Sequence, residues 1–384
     1  MREAAVPRRR VALVLASSTG GIGRHVASLV AGLAPCADVT VYGPADTERQ
    51  FAFTASGARF APVEIPASPQ PRDIAAVQAL RRALRADPPD VVHAHGLRAG
   101  LVAALARASG CPLVVTWHNQ VLAQGVRAKV YRHIEGYVAR SADITLGASQ
   151  DLVDRAAALG ARARLSAVAA PTLAPPLRTP VQVREELGVG ESRPLVLSVG
   201  RLHPQKGYDV LVAAAARWRT RRPAPAVVIA GSGPAYMGLA SQISHERAPV
   251  VLAGHRTDVP DLLAAADLAV VTSVWEARQL FAQEALRSGT PLVATDVGGL
   301  PELVGDAALL IPAGDVDAVD EAVRLLLDNA DLRVDYARRG AERAATWPTE
   351  AEVVAQVLAV YDEAAGQVRE DGALGAKRSE RRSW

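Results

Sequence analysis

The sequence predicts an α/β protein of two doubly wound lobes, and three observations carry that prediction. Its 384 residues exceed what one core of about 150 to 200 residues accommodates. Short apolar runs alternate with amphipathic helical stretches from Val11 onward, the rhythm of parallel strands joined by right-handed crossovers. The apolar share is 49% with aromatics at only 4%, so the cores are built from Ala, Val and Leu, as buried parallel strands favour.

Taken in order, Arg8, Arg9 and Arg10 before Val11 to Ala16 imitate a secretory leader. The apolar run is too short for one and a glycine-rich turn follows, so it reads as a buried first strand. A helix from about Gly23, the strand DVTVY, the strand ARFAPVEI, a helix from Ile74 and the strand DVVHAH come next. A helix from Arg98, PLVVTW, a basic helix near 126–140, DITLGAS and ARLSAV complete a first lobe, 1–172. The segment PTLAPPLRTP, 171–180, is proline-rich without apolar periodicity and predicts a stiff connection.

A second lobe, 173–348, runs PLVLSVG, a helix from Tyr208, PAVVIAG, a helix from Pro234, PVVLAG and a helix from Pro260. It continues with DLAVVTS, a helix from Leu280, TPLVATD, a short helix at Pro301, AALLIP and two helices after Asp315. A last helix, about 349–368, is expected to pack back on the first lobe, and residues 369–384, polar and basic, are expected to be disordered.

Composition excludes several classes. The net charge of +3 demands no nucleic-acid footprint. Cys36 and Cys111 stand far apart with no CxxC or Cys/His cluster, which argues against a disulfide framework or zinc site and fits a reducing, cytoplasmic compartment. No apolar stretch approaches the ~18 residues that span a bilayer, so membrane association would be peripheral. Nearly all positive charge is arginine, with lysine only at 129, 206 and 377, which makes the position of each lysine informative.

In open α/β sheets ligands sit beyond the C-terminal ends of strands, so the turns there carry the candidate chemistry. After the first strand, Ser17 to Arg24 form a glycine-rich turn with Gly20 and Gly21, opening a helix whose amides would attract an anion. A plain tight turn is an equal reading, since the full dinucleotide fingerprint is absent. After the first strand of the second lobe, Arg201 and Lys206 flank a loop bounded by Gly200 and Gly207, a fork and a point charge fit for phosphate oxygens. After DLAVVTS, Glu276 falls in a loop and Glu284 inside the following helix, where a carboxylate can accept from two ribose hydroxyls.

Together these features resemble the family-4 retaining glycosyltransferases of GT-B fold. The resemblance covers nearly the whole chain. It rests on the GG turn, DVVHAH, the T-x-H turn at Thr116 to His118, GRLxxxKG, GSGP at 231–234, and E-x7-E followed by SGTPLVATDVGGLPELV. It implies two Rossmann-like lobes facing a central cleft that closes to complete the site, and a UDP- or GDP-sugar donor. The implied acceptor is a cell-surface glycan, a lipid or a small metabolite, and neither cofactor nor metal is needed. By the same resemblance Arg201 and Lys206 bind the diphosphate, Glu284 the ribose, and Glu276 the sugar hydroxyls. Gly20 and Gly21 approach the phosphate and acceptor, and the amides at Gln279 and Leu280 help hold the leaving group. His118 sits at the reacting centre, and the base stacks near Gly254, His255 and Arg256. The departing diphosphate deprotonates the acceptor on one face of the sugar, so catalysis is positioning plus charge stabilisation.

One departure stands out. Where the family usually carries Gly-Phe-Gly after the first glutamate, this chain has Ala277, Arg278 and Gln279, so a non-catalytic nucleotide-sugar-binding subunit is the alternative. A dinucleotide-dependent oxidoreductase is a distant third. Asp315-Val316-Asp317 spells the DxD of metal-binding transferases, but at a helix start acidic residues are ordinary caps. The basic helix, with Arg127, Lys129, Arg132, His133 and Arg140, offers a face for anionic lipid on the inner face of the membrane, and a solvated surface is an equal reading. His93 and His95 read either as lining of the cleft or as packed, hydrogen-bonded side chains, and Trp117 as packing.

Overall fold

The computed structural model describes residues 8–18, 20–66, 68, 70, 73–122, 125–166, 168–169 and 173–380, with side chains described as far as 368. Thr19 of the glycine-rich turn and residues 171–172 of the proline-rich connection lie outside them. The chain forms two compact units, Met1–Ala169 with Pro348–Trp384, and Ala170–Trp347.

In the first unit the order is β1 (Arg9–Leu15), α1 (Gly21–Leu33), β2 (Ala37–Gly43), α2 (Ala45–Phe51), β3 (Arg59–Pro62), α3 (Asp73–Ala86) and β4 (Val91–His95). It continues with α4 (Leu97–Ala106), β5 (Leu113–Trp117), α5 (Gly125–Ser141), β6 (Ile144–Gly147), α6 (Gln150–Ala158) and β7 (Ala163–Leu165). The sheet runs β3-β2-β1-β4-β5-β6-β7, every pairing parallel. Strand order reverses between β1 and β4, where Leu13 pairs with His93 and Leu15 with His95. That reversal opens a crevice at the strands' C-terminal ends, where ligands bind in such sheets.

The second unit holds α7 (Pro180–Glu186), β8 (Leu195–Val199), α8 (Tyr208–Trp218), β9 (Ala226–Ala230), α9 (Tyr236–Glu246), β10 (Val250–Gly254) and α10 (Val259–Ala265). Then come β11 (Leu268–Val271), α11 (Leu280–Arg287), β12 (Leu292–Thr295), α12 (Leu300–Val304), β13 (Leu309–Ile311), α13 (Val316–Asp328) and α14 (Ala330–Ala345). Its sheet is also parallel, ordered β10-β9-β8-β11-β12-β13, with the reversal between β8 and β11. Strands β8, β9, β11 and β12 are apolar runs buried on both faces, as covering helices require.

The closing helix α15 (Glu350–Glu380) belongs to the first unit. It inserts Val353, Val357, Val360, Tyr361 and Ala364 into a core shared with Leu29, Leu33 and Val91. The sequence led to a helix ending near 368 and a disordered tail, whereas α15 runs to Glu380.

Two short helices depart from the sequence reading, α2 and α7. The start of α7 is locally encoded: Thr179 accepts from Gln182 N, the Gln182 side chain accepts from Thr179 N, and Pro180 occupies the first turn. Among the described residues no helix is long and apolar enough to cross a membrane.

Candidate active site

In the second unit the loop after β8 lies against the loop after β11. Lys206 ends a 3-10 turn, Pro204–Lys206, and Gly207 follows at φ 60°. A Cβ on Gly207 would sit 2.1 Å from Thr272 O, so this position requires glycine for both conformation and space. Hydrogen bonds hold the loops together: Thr272 Oγ1 donates to Lys206 O at 3.1 Å, Val274 N to Gln205 O at 2.8 Å, and Gln205 Nε2 to Trp275 O at 2.8 Å. The outcome is a contact between side chains far apart in sequence. Lys206 Nζ donates to Glu276 Oε1 at 2.5 Å, and Ser273 Oγ donates to the same oxygen at 2.8 Å.

The Lys206 and Glu276 side chains are 20% and 11% exposed, so each charge compensates the other in a partly desolvated place. The peptide of Glu276 is fixed as well. Gly299 N donates to its carbonyl at 2.8 Å, and a Cβ on Gly298, at φ 53°, would lie 2.1 Å from that oxygen. The glycine pair of DVGGLPELV thus exists to let one loop approach another. Gly231 and Gly233 serve the loop that Arg201 opens in the same way, since a Cβ on either would strike Gly200 O or Leu202 O within 2.3 Å. Arg201 itself is exposed.

Gln279 and Leu280 meet at the N-terminus of α11. The Gln279 side chain caps it, with Oε1 accepting from Phe281 N at 2.6 Å and Ala282 N at 3.4 Å. A helix N-terminus is an anion site because such amides lack partners, and here a side-chain amide takes two of them. Leu280 is the first helical residue, and Glu284 is half-buried one turn further on. Arg278 is buried, its side chain 8% exposed, with Nη1 3.9 Å from Glu302 Oε1 and Nε without a hydrogen-bond partner. Burial lowers its pKa. Its guanidinium therefore faces Glu302 of α12.

Gly254 ends β10 at φ 69°, and its carbonyl accepts from Gly231 N at 2.6 Å. His255 is exposed. Arg256 donates to Asp258 Oδ1 at 2.8 Å and to Glu186 Oε1 at 2.6 Å, so its charge is committed to an internal network that Arg178 shares. Asp315 accepts from Ala318 N as N-cap of α13, and Asp317 pairs with Arg217 at 2.5 Å. The DxD string is thus a cap and a surface ion pair.

In the first unit Gly20 is the N-cap of α1 and Gly21 its first residue, both exposed. Beside that turn the sheet brings four histidines together, all buried: His25 from α1, His93 and His95 from β4, and His118 directly after β5. His93 is fully bonded, Nδ1 lying 2.8 Å from Tyr361 Oη and Nε2 2.7 Å from Thr116 Oγ1. His95 Nδ1 lies 3.2 Å from His118 Nε2, and His95 Nε2 has no partner among the described residues. Burial lowers every one of their pKa values, His25 to about 4 and His93 to about 3. Burial thus favours the neutral form of these imidazoles.

His93 is thus the packed, bonded side chain that sequence left as one of two readings. His25 and Tyr361 escaped sequence reasoning. His25 precedes Leu29 and Leu33 by four and eight positions, so it occupies the buried face of α1, and that spacing was the available signal. Trp117 is packing, 3% exposed. Helix α5 keeps Val126, Val130 and Tyr137 exposed beside its basic residues.

Two family models match this chain, the glycosyl transferase 4-like domain over residues 20–172 and glycosyl transferases group 1 over 193–329. D-inositol 3-phosphate glycosyltransferase of Salinispora tropica is 34% identical over 73% of this chain. That match spans 65% of the relative's own length. Alpha-D-kanosaminyltransferase of Streptomyces kanamyceticus is 30% identical over 76% of this chain and 80% of its own. Among solved structures, Anabaena HepE in complex with UDP superposes with a TM-score of 0.76 at 19% identity, covering 92% of this chain and 100% of that one. WaaG, a glycosyltransferase involved in lipopolysaccharide biosynthesis, gives 0.69 at 18%, covering 91% and 99%. The chain belongs to the family-4 type of GT-B-fold glycosyltransferases.

Proposed function

We propose that this chain is a retaining glycosyltransferase that moves a sugar from UDP- or GDP-sugar to a glycan, lipid or small-molecule acceptor, without requiring a metal. The observation that carries this reading is the Lys206–Glu276 pair, held in the second unit by two interlocked glycine loops. Lys206 supplies a point charge to the diphosphate and Arg201, exposed in the same loop, a guanidinium fork. Glu276 orients the sugar hydroxyls, and Glu284 the ribose. Gly254, His255 and the backbone at Arg256 accommodate the base, the Arg256 guanidinium being engaged elsewhere. In the first unit Gly20 and Gly21 keep the start of α1 open to the acceptor, and neutral His118 donates a hydrogen bond at the reacting sugar.

The reaction breaks the anomeric C–O bond to the diphosphate and forms a bond to the acceptor oxygen on the same face. The leaving diphosphate takes the acceptor proton. The protein's contribution is charge stabilisation and alignment. Relatives named as glycosyltransferases and a structural neighbour holding UDP support this reading. A cytoplasmic location, with α5 touching the inner membrane face, accompanies the proposal.

The Gln279 cap favours one second reading, a nucleotide-sugar-binding subunit that does not turn over, because the amides that would meet the leaving phosphate are already bonded. Thermal stabilisation by UDP, GDP and their sugar conjugates, followed by sugar release from whichever conjugate binds, separates the two. Stabilisation grows with occupancy. Binding with release supports the transferase, binding without release supports the subunit, and stabilisation by neither nucleotide removes both.

A further inference from the structure

Of the four buried histidines in the first unit, only His93 has the pattern of a purely structural residue, with both ring nitrogens bonded to protein hydroxyls. The other three form a nearly equilateral group. Ring centroids lie 5.6 Å apart for His25 and His95, 5.2 Å for His25 and His118, and 5.5 Å for His95 and His118. One ring nitrogen from each falls within 4.8 Å of the others.

We infer that His25, His95 and His118 form a three-histidine site for a divalent transition cation of the zinc type, independent of the donor site in the second unit. Tetrahedral zinc with nitrogens at about 2.0–2.1 Å places neighbouring ligand nitrogens about 3.3–3.4 Å apart. The His95 Nδ1 to His118 Nε2 separation of 3.2 Å is close to that value. His25 offers a third ring nitrogen within 4.8 Å of the other two. A tetrahedral ion held by three imidazoles would take its fourth ligand from solvent or a substrate oxygen.

A further observation agrees. His93 packs at a tilt of 35° against His95, with centroids 4.2 Å apart, while anchored by Tyr361 and Thr116, so the ring of one ligand is oriented from behind. The site lies at the C-terminal edge of the sheet beside its reversal point: His95 is the last residue of β4, His118 follows β5, and α1 brings His25 across. Zinc here takes His118 out of service for transfer, so the cation restrains the proposed reaction and does not drive it.

The test begins with the full chain stripped by EDTA and titrated with zinc chloride by calorimetry. Expected is binding of one zinc per chain in the micromolar range or tighter. His25→Gln, His95→Gln and His118→Gln each weaken it at least tenfold, while His245→Gln, exposed on α9, leaves it unchanged. Because a buried substitution can unfold the unit, X-ray absorption on the zinc-loaded wild-type chain is read alongside. It should show a shell of about three imidazole nitrogens at about 2.0–2.1 Å. Absence of binding, affinity unaltered in folded variants, or a shell dominated by oxygen overturns the site. Neither readout depends on sugar transfer, so failure here leaves the transferase reading untouched and the reverse holds as well.

Discussion

Lys206 Nζ lies 2.5 Å from Glu276 Oε1, although 70 positions separate the two residues. The contact joins the only lysine of the second unit to a carboxylate that also accepts from Ser273 Oγ. Each residue therefore has a resident partner before any ligand arrives. A diphosphate would compete with Glu276 for Lys206, and substitutions at the two positions should act in opposite senses.

Lys206→Ala removes one charged hydrogen bond to the ligand and leaves the Glu276 carboxylate, 11% exposed, without its cation. UDP binding should weaken by about ten- to a hundredfold, the equivalent of roughly 1.5–3 kcal/mol. Glu276→Gln frees the lysine, so UDP should bind at least as tightly as to the wild-type chain while sugar transfer falls. Calorimetric titration of both variants with UDP decides this; equal affinities for Lys206→Ala and the parent chain remove Lys206 from the proposed clamp.

Gln279→Gly should uncover Phe281 N and Ala282 N at the head of α11, where the Gln279 side chain now accepts from both. Replacing a polar N-cap by glycine costs only a few tenths of a kcal/mol, so the melting temperature should change little. Two freed amides and the positive end of the helix should strengthen UDP binding severalfold. Tighter binding with faster turnover would identify Gln279 as a brake on the donor site. Unchanged binding would mean that the diphosphate does not reach this helix.

The parallel sheets were legible because strand-length apolar runs separated by helical periodicity leave few alternatives. The loops carrying Gly200–Gly207 and Gly298–Gly299 were legible because close backbone approach admits only glycine, and glycine is visible in sequence. What escaped were relationships set by three-dimensional register. His25, His95 and His118 come from a helix, a strand end and a loop, and only the pairing of His95 with Thr116 across β4 and β5 brings the last two level. The direction of Arg278 was equally hidden, since a loop arginine reads as a solvent or ligand contact until Glu302 is found behind it. The continuation of α15 to Glu380 was not read from the sequence, because the stretch past 368 is polar and carries no apolar periodicity.

Arg256→Met tests whether that residue holds the base or holds the unit together. The Arg256 guanidinium keeps the Asp258 carboxyl below its usual pKa, and it also lowers that of Glu186. A carboxylate with a depressed folded-state pKa contributes stability that is fully present above its unfolded pKa and is lost as pH falls through its lowered folded value. Wild type should therefore melt well above the variant at pH 6, with the gap narrowing at pH 3. UDP affinity at pH 7 should be nearly equal in the two proteins, and a marked loss would return the Arg256 side chain to the base pocket.

Tyr361→Phe isolates the link between α15 and the first sheet. Tyr361 is fully buried, packs among Leu29, Leu33 and Val91, and meets His93 Nδ1 at 2.8 Å. Phenylalanine preserves the packing and removes only the hydroxyl, so the change leaves one buried ring nitrogen unsatisfied. That should cost about 1–3 kcal/mol, read as a lower midpoint in chemical denaturation. The slope should stay the same, because the surface exposed on unfolding is unaltered. The ring of His93 also loses an anchor behind His95, so zinc affinity should fall with stability in this variant. In Val353→Ala, at the opposite end of the same helix interface, stability should fall while zinc affinity holds. If both variants lose stability equally and zinc binding is indifferent to either, His93 does not orient the histidine cluster and Tyr361 acts through packing alone.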